Sequence, residues 1–240
     1  MHRFLVDADD IVGERVTFSD LQAHQMRHVL RLRPGDQVVV FDGQEPADLL
    51  VELTSPTEAR VLEARAQPAE PRTALVAYPA LLQRDKFEPV LQKLTELGVR
   101  AISPVISARS LVREPPDHRR LLRWSAILRE ATEQCGRGVV PRLLETLPFA
   151  AAIGRATRAG LTLVAHPAEP ERSLASLLAE AGETVSTFVG PEGGFDPGEV
   201  EMAVSLGAHV VTLGPRILRT ETASPVLAAL VLHALGDLSS

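Results

Sequence analysis

Apolar and polar positions follow two different rhythms along this 240-residue chain, and the change between them comes near residue 70. Up to that point the apolar residues come in short, β-branched bursts. Gln37–Phe41 is one, Leu49–Leu53 and Arg60–Ala64 are others, and Asp42-Gly43 supplies a turn between them. A single helix interrupts them, starting at Ser19 or Asp20 and carrying Leu21, Met26, Val29 and Leu30 on its apolar side. This part reads as a small, mainly β module. The polar, proline-containing stretch Ala66–Arg72 marks its end.

Beyond the linker, strand-length apolar runs alternate with helix-period segments, the pattern of a mostly parallel sheet. Thr73–Tyr78, Arg100–Ile106, Leu161–Ala165, Val185–Val189 and Val210–Leu213 read as strands. Asp85–Leu97 reads as a helix with Phe87, Val90, Leu91 and Leu94 on one stripe, stopped by Gly98. Asp117–Gln134 follows as a longer helix with Leu121, Trp124, Leu128, Ala131 and Cys135 on its apolar side. A shorter helix lies near Ser173–Glu180. Asp196-Pro197-Gly198-Glu199 carries an N-cap acid, a first-turn proline and a capping-box glutamate, so a helix begins there and ends at Gly207. A last apolar helix covers roughly Ser224–Leu235.

Two loops stand out against this frame: Gly190-Pro-Glu-Gly-Gly-Phe195 and Leu213-Gly-Pro-Arg-Ile-Leu-Arg-Thr-Glu-Thr-Ala223. Each follows a strand, and ligands of α/β folds bind at the carboxyl ends of strands. The interval 196–212 holds one helix, which lets the two strand ends lie side by side. Neither loop has the Gly-Lys-Ser/Thr ending of a phosphate loop, the Gly-x-Gly-x-x-Gly of a dinucleotide fold, or a nucleophile elbow. Their backbone groups, the apolar Ile217 and Leu218 and the polar Arg219, Thr220, Glu221 and Thr222 suit an uncharged flat ring with a polar tail.

Charge narrows the class of partner. The net charge of −6 argues against indiscriminate coating of nucleic acid. Locally the sign varies: Leu21–Arg33 holds Arg27, Arg31 and Arg33 with His24 and His28 and no acid, and Arg109–Arg142 is also basic, whereas Leu143–His209 is acidic. Only Lys86 and Lys93 are lysines, so nearly every cation is the planar arginine fork that matches phosphate. Cys135 is the single cysteine, which rules out an internal disulfide and a Cys-rich zinc site. No apolar run is long enough to span a membrane, and the first residues lack a signal-peptide pattern, so a cytoplasmic location is expected.

The two loops resemble the signature motifs of the SPOUT superfamily of S-adenosylmethionine-dependent RNA methyltransferases, and more narrowly the 16S rRNA uracil-N3 methyltransferases of the RsmE type. Met1–Phe4 with Arg27–Asp36 is similar to that family's PUA-like module. Lys86 with Gln92–Gly98, Ala108–Ser110, Glu130–Arg137 and Val140-Pro141 are similar to its further motifs. The resemblance implies an α/β fold in which a PUA-like β-barrel over residues 1–68 precedes a trefoil-knotted methyltransferase domain over 73–240. It implies S-adenosyl-L-methionine as cofactor, no metal, a homodimer, and 16S rRNA as substrate, within the assembled 30S subunit.

Residue roles follow from the same resemblance. Arg219 stabilises charge on the uracil carbonyls, or else forms an ion pair that holds its loop. Glu221 takes the N3 proton, or else caps the final helix. Val164, His166, Val189, Gly190, Glu192, Gly194, Leu213, Ile217, Leu218 and Thr222 hold the cofactor. Arg3, His24, Arg27, His28, Arg31 and Arg33 contact RNA phosphates, joined nearer the reacting base by Arg109, Gln134 and Arg137. Arg119, Arg120 and Arg123 read as a solvated helix face, and Phe87, Trp124 and Cys135 as core. A ribose 2′-O-methyltransferase and a non-catalytic ribosome-assembly factor remain as alternatives.

Overall fold

The computed structural model describes residues 1–66, 70–167 and 171–238. Gln67, Pro68 and Ala69, the middle of the expected linker, lie outside them. The rest divides by its internal contacts into two units. One takes the chain up to Glu70 together with Arg129–Val140, and the other takes Pro71–Leu128 and the chain from Pro141 onward. The excursion of 129–140 is a difference from the expected boundaries, which ran 73–240 as one block.

In the first unit, β1 (Arg3–Leu5), β2 (Ile11–Val12), β3 (Arg15–Thr17), β4 (Gln37–Phe41), β5 (Ala47–Leu53) and β6 (Glu58–Ala66) form a six-stranded sheet in the order β1-β4-β5-β6-β3-β2. Alternation explains its single core: Val38 and Val40 of β4 are buried with Phe4, Val16, Val51 and Ala59, while the intervening residues are more exposed. Helix α1 (Asp20–His24) starts at the Ser19/Gln22 capping box and then widens into a π turn over Gln25–Val29, closed by Leu30 N–H donating to the Gln25 carbonyl at 3.0 Å. The wider turn breaks the 3.6-residue stripe. Met26 is buried as expected, but Leu21 and Val29 are 78% and 68% exposed.

The second unit contains β7 (Ala74–Pro79), α2 (Phe87–Leu97), β8 (Ala101–Ile102), β9 (Val105–Ile106), the first part of α3 (His118–Cys135), β10 (Arg142–Leu143), β11 (Leu147–Pro148), α4 (Phe149–Ala159), β12 (Leu161–Ala165), α5 (Leu174–Leu178), β13 (Thr184–Val189), α6 (Pro197–Ser205), β14 (His209–Val211) and α7 (Thr220–Ala234). Its main sheet is parallel throughout, in the order β10-β8-β7-β13-β12-β14. Consecutive residues Val185–Val189 are all buried, so the sheet is covered on both faces and its strands read as unbroken apolar runs. Helices α4 and α6 pack over Tyr78, Val164 and Phe188, where the Tyr78 and Phe188 rings stack at 4.5 Å. Helix α7 packs on β7, β13 and α2.

Helix α2 buries Phe87, Val90, Leu91 and Leu94, and ends where Gly98 takes a φ of +99°, a conformation that removes the penalty of a Cβ at the left-handed cap. The Phe87 ring lies 4.7 Å from that of Trp124 on α3, which is fully buried. Cys135 is only half-buried. Residues 100–106 are two short strands rather than one, because the chain breaks at Ser103-Pro104. Helix α4 has no counterpart among the helices read from the sequence, although Phe149, Ala152, Ile153 and Ala156 stand at helical spacing and are all buried. No described helix is long and apolar enough to cross a membrane.

Candidate functional site

Both glycine loops sit at carboxyl ends of the parallel strands, but the strands that carry them are not neighbours. β12 lies between β13 and β14, so the expectation that the two ends lie side by side is corrected. The end of β12, Ala165-His166-Pro167, thereby becomes the floor between two walls. Together the three strand ends line a cavity of about 800 Å³ that lies wholly within the second unit.

Local bonds set the shape of the first wall. Gly194 N–H donates to the Pro191 carbonyl at 2.8 Å and Gly194 takes a φ of +68°, a tight turn that disfavours any residue with a Cβ. Asp196 then caps α6, with Glu199 bonding back to the Asp196 N–H at 2.9 Å. The other Glu199 oxygen accepts the Ala108 N–H at 2.7 Å, which ties the loop to the 107–110 segment. From that segment Arg109 reaches the Gly193 carbonyl at 3.3 Å and Asp196 at 3.2 Å. Lys86 pairs with Glu192 at 3.4 Å across the cavity mouth.

The second wall runs from Thr212 into α7. Thr220 Oγ1 donates to the Gly190 carbonyl at 2.7 Å, joining the two walls. Arg219 is the extended N-cap of α7, and its carbonyl accepts the N–H groups of Thr222 and Ala223. Its side chain is exposed at the cavity and makes no hydrogen bond or ion pair among the described residues. Glu221, half-buried in the first turn, lines the same cavity. The open amides of the α7 N-terminus add positive potential there. Ile217 is an apolar side chain left 89% exposed at the cavity.

Of the residues expected to hold a cofactor, the structure brings together His166, Val189, Gly190, Glu192, Gly194, Leu213, Ile217 and Leu218, with Arg219 and Glu221 beside them. Two do not line the cavity. Val164 is fully buried under α4, because it lies within β12, where both faces of the sheet are covered, and short of the strand end that opens to the cavity. Thr222 is exposed outside the lining, because the 100° step per helical residue carries it past Glu221 and Ala223. Lys86, Arg216 and Thr220 line the cavity without having been singled out as site residues. Loop membership was a signal for Arg216 and Thr220; Lys86 arrives from a turn more than a hundred residues upstream.

The residues expected to contact RNA separate into three groups. His24, Arg27, His28, Arg31 and Arg33 are exposed on the first unit, with the His24 and His28 rings 4.5 Å apart, and Gln134 is exposed as well. Arg109 belongs to the cavity wall. Arg3 and Arg137 are corrected: both are used to hold the first unit together. Arg3 donates to Asp48 at 2.8 Å and to the carbonyls of Gly136 and Arg137, and lies over the Phe41 ring. Arg137 is 3% exposed and paired with Glu70 at 2.8 Å, while Glu70 also accepts the Gly138 and Val139 amides. Of the α3 arginines, Arg120 donates to the Arg84 carbonyl and Arg123 grips Glu88, which it holds below the usual carboxylate range. Arg119 is exposed, as expected.

Comparison with known proteins covers nearly the whole chain. Residues 69–232 match the family model described as an RNA methyltransferase domain. The ribosomal RNA small subunit methyltransferase E of Mycobacterium bovis is 34% identical, over 99% of this chain and 92% of its own. The crystal structure of the ribosomal RNA small subunit methyltransferase E of Neisseria gonorrhoeae, bound to S-adenosyl methionine, superposes with a TM-score of 0.86 at 32% identity, covering 98% of each chain. A protein of Legionella pneumophila solved with the same cofactor gives a TM-score of 0.84 at 26% identity, covering 97% of each chain. The chain therefore belongs to the RNA methyltransferase family, among the ribosomal RNA small subunit methyltransferase E proteins.

Proposed function

We propose that this protein transfers a methyl group from S-adenosyl-L-methionine to N3 of a specific uridine in the 16S rRNA of the small ribosomal subunit. The observation that carries this reading is the 800 Å³ cavity between two glycine loops and the β12 end, in a chain that matches a cofactor-bound relative from end to end. The donor set fits the cofactor. Leu213, Leu218 and Val189 offer apolar surface to a flat ring, loop amides and carbonyls offer hydrogen bonds, and Glu192 with Lys86 offers charges to an amino-acid tail.

When bound, the cofactor supplies an electrophilic methyl group on a sulfonium. The protein has to position uracil N3 in line with that methyl and to manage the N3 proton. Arg219, without an ion pair among the described residues, stabilises negative charge that develops on the uracil carbonyl oxygens. Glu221, on the same helical turn, accepts the proton. Arg109, Lys86 and Thr220 hold the loops in register. Arg27, Arg31 and Arg33, with His24 and His28, bind RNA phosphates and position the substrate without reading its bases.

The finer organisation belongs to the same proposal. The sheet over residues 1–68 serves as a PUA-like RNA-binding module, residues 73–240 form a trefoil-knotted SPOUT domain, and two copies associate in the cytoplasm as a homodimer that acts on the 30S particle. Incubation with labelled S-adenosylmethionine and 30S subunits from cells lacking the activity tests it. Label recovered as 3-methyluridine supports the proposal. Label on ribose 2′-oxygens would replace it with 2′-O-methylation, and no transfer would leave an assembly factor.

A further inference from the structure

The other end of the main sheet carries a second cavity, of about 760 Å³, for which methyl transfer has no use. The strands run parallel, and this cavity takes Ala74, Ala101, Arg142 and Thr184 from the starts of β7, β8, β10 and β13 and reaches along β7 to Tyr78, whereas the methyl-transfer site takes Ala165 and Val189 from the ends of β12 and β13. Its floor follows one row of the sheet: Arg142 pairs in register with Ala101, Ala101 with Val76, and Val76 with Ser186. Small side chains at Ala74 and Ala101 give the floor its depth. Ser186 is fully buried, and its hydroxyl has no hydrogen-bond partner among the described residues.

Four guanidinium groups rim this floor, against the single carboxylate of Glu183, in a chain of net charge −6. Arg100 and Arg142 are exposed and make no ion pair among the described residues. Arg155 is held only loosely, by exposed Glu145 at 3.4 Å, and Arg72 stands 3.9 Å from Asp237. The field of Arg155 reaches the floor, where burial raises the Tyr78 hydroxyl pKa and Arg155 opposes that rise. Like charges crowded around a concavity repel one another unless an anion joins them. Arginine in place of lysine at every position matches the two-oxygen face of a phosphate.

We propose that this cleft is a second RNA site, in which Arg100 and Arg142 hold a backbone phosphodiester of the substrate strand, flanked by Arg72 and Arg155. The proposal rests on the RNA-methyltransferase reading above. A strand rises by about 3.3 Å per residue, so the steps from Ser186 to Val189 set the cleft floor roughly 10 Å along β13 from the methyl-transfer site. Stacked nucleotides at about 3.4 Å each cover that span in about three steps. The cleft therefore fixes the register of a strand whose target base is held at the other end of the sheet.

The test is the binding of a fluorescein-labelled 20-nucleotide RNA of 16S sequence to the full-length protein between 50 and 200 mM KCl, followed by anisotropy. Arg100→Ala/Arg142→Ala is expected to weaken binding at least tenfold. It should also make the log–log salt slope shallower by about 0.7 for each phosphate that the protein no longer neutralises. Arg100→Lys/Arg142→Lys keeps the charge without the fork and should recover only part of the affinity. Cofactor affinity by calorimetry, melting temperature and sedimentation coefficient stay as in the wild type.

Unchanged RNA affinity and slope overturn the proposal. A changed sedimentation coefficient also overturns it, by making the cleft a contact between copies. Competition by uridine monophosphate or inorganic phosphate, without any change in RNA binding, assigns the cleft to a free phosphate instead. Methyl transfer does not enter the readout: RNA binding lost in the double variant, in a protein that methylates nothing, would end the functional reading and leave the cleft standing.

Discussion

The extended backbone at Arg219, with φ −65° and ψ 152°, caps α7 through its carbonyl and leaves the guanidinium uncommitted at the cavity. Arg219→Ala should keep cofactor affinity within about twofold by calorimetry and lower kcat by about 10²-fold, the cost of one preorganised donor; unchanged turnover would remove Arg219 from the mechanism. A second titratable group is structural. Burial raises the Glu133 pKa, opposed by the Leu5 N–H that donates to it at 2.7 Å and by Arg129 and Arg3. A carboxyl with a raised folded-state pKa contributes stability below its unfolded value, and that contribution is lost as pH rises through the folded value. Glu133→Gln keeps an acceptor for Leu5 without the buried charge. It should raise the melting temperature at pH 7.5 relative to wild type and flatten the decline in stability above pH 4.5, as thermal melts across that range would show.

Between elements, α2 and α3 meet through Phe87 and Trp124, with Arg120 over the indole at 5.2 Å and the Glu88–Arg123 pair at the solvent edge. The indole N–H of Trp124 is buried without a hydrogen-bond partner among the described residues, so the residue contributes by filling volume and not by donating. Trp124→Ala should therefore cost about 3–5 kcal/mol in urea unfolding. Trp124→Phe removes an unsatisfied donor along with some volume and should cost less than half as much; equal losses would mean that the N–H has a partner. Helical spacing was enough to assign both helices and to place Phe87 and Trp124 in the core, but it also put Leu121 on the apolar side, and Leu121 is exposed. The same spacing was misleading in 20–29, where Leu21 of α1 and Val29 of the following π turn both lie in solvent.

On the scale of the molecule, the exposed cations and the cavity lie in different units, so the roles proposed for them can be tested separately. Arg27→Ala/Arg31→Ala/Arg33→Ala should raise the KM for 30S subunits at least tenfold, with a shallower salt dependence, and leave cofactor affinity unchanged. An unchanged KM would show that the N-terminal unit does not carry substrate binding. The proposed homodimer predicts twice the monomer mass in sedimentation equilibrium at micromolar concentration, with an environment for Ile217 that one chain lacks. A monomer that methylates at full rate would refute it.

How much of this was legible without coordinates depends on the range of the interaction involved. The strand runs, the Asp196 and Ser19 caps, the Gly98 stop and both glycine loops are encoded within a few residues, because capping, turn chemistry and periodicity are local. Tertiary contacts decided what lies between those loops. The placement of β12 put His166 on the cavity floor and Val164 in the core, and a turn far upstream delivered Lys86 to Glu192. They also withdrew Arg3 and Arg137 from the solvent-facing cations, since an arginine looks the same in sequence whether it meets Asp48 and Glu70 or a phosphate. Local chemistry alone determined where this chain can bend and bind; strand order, which depends on pairing between distant segments, decided which side chains meet there.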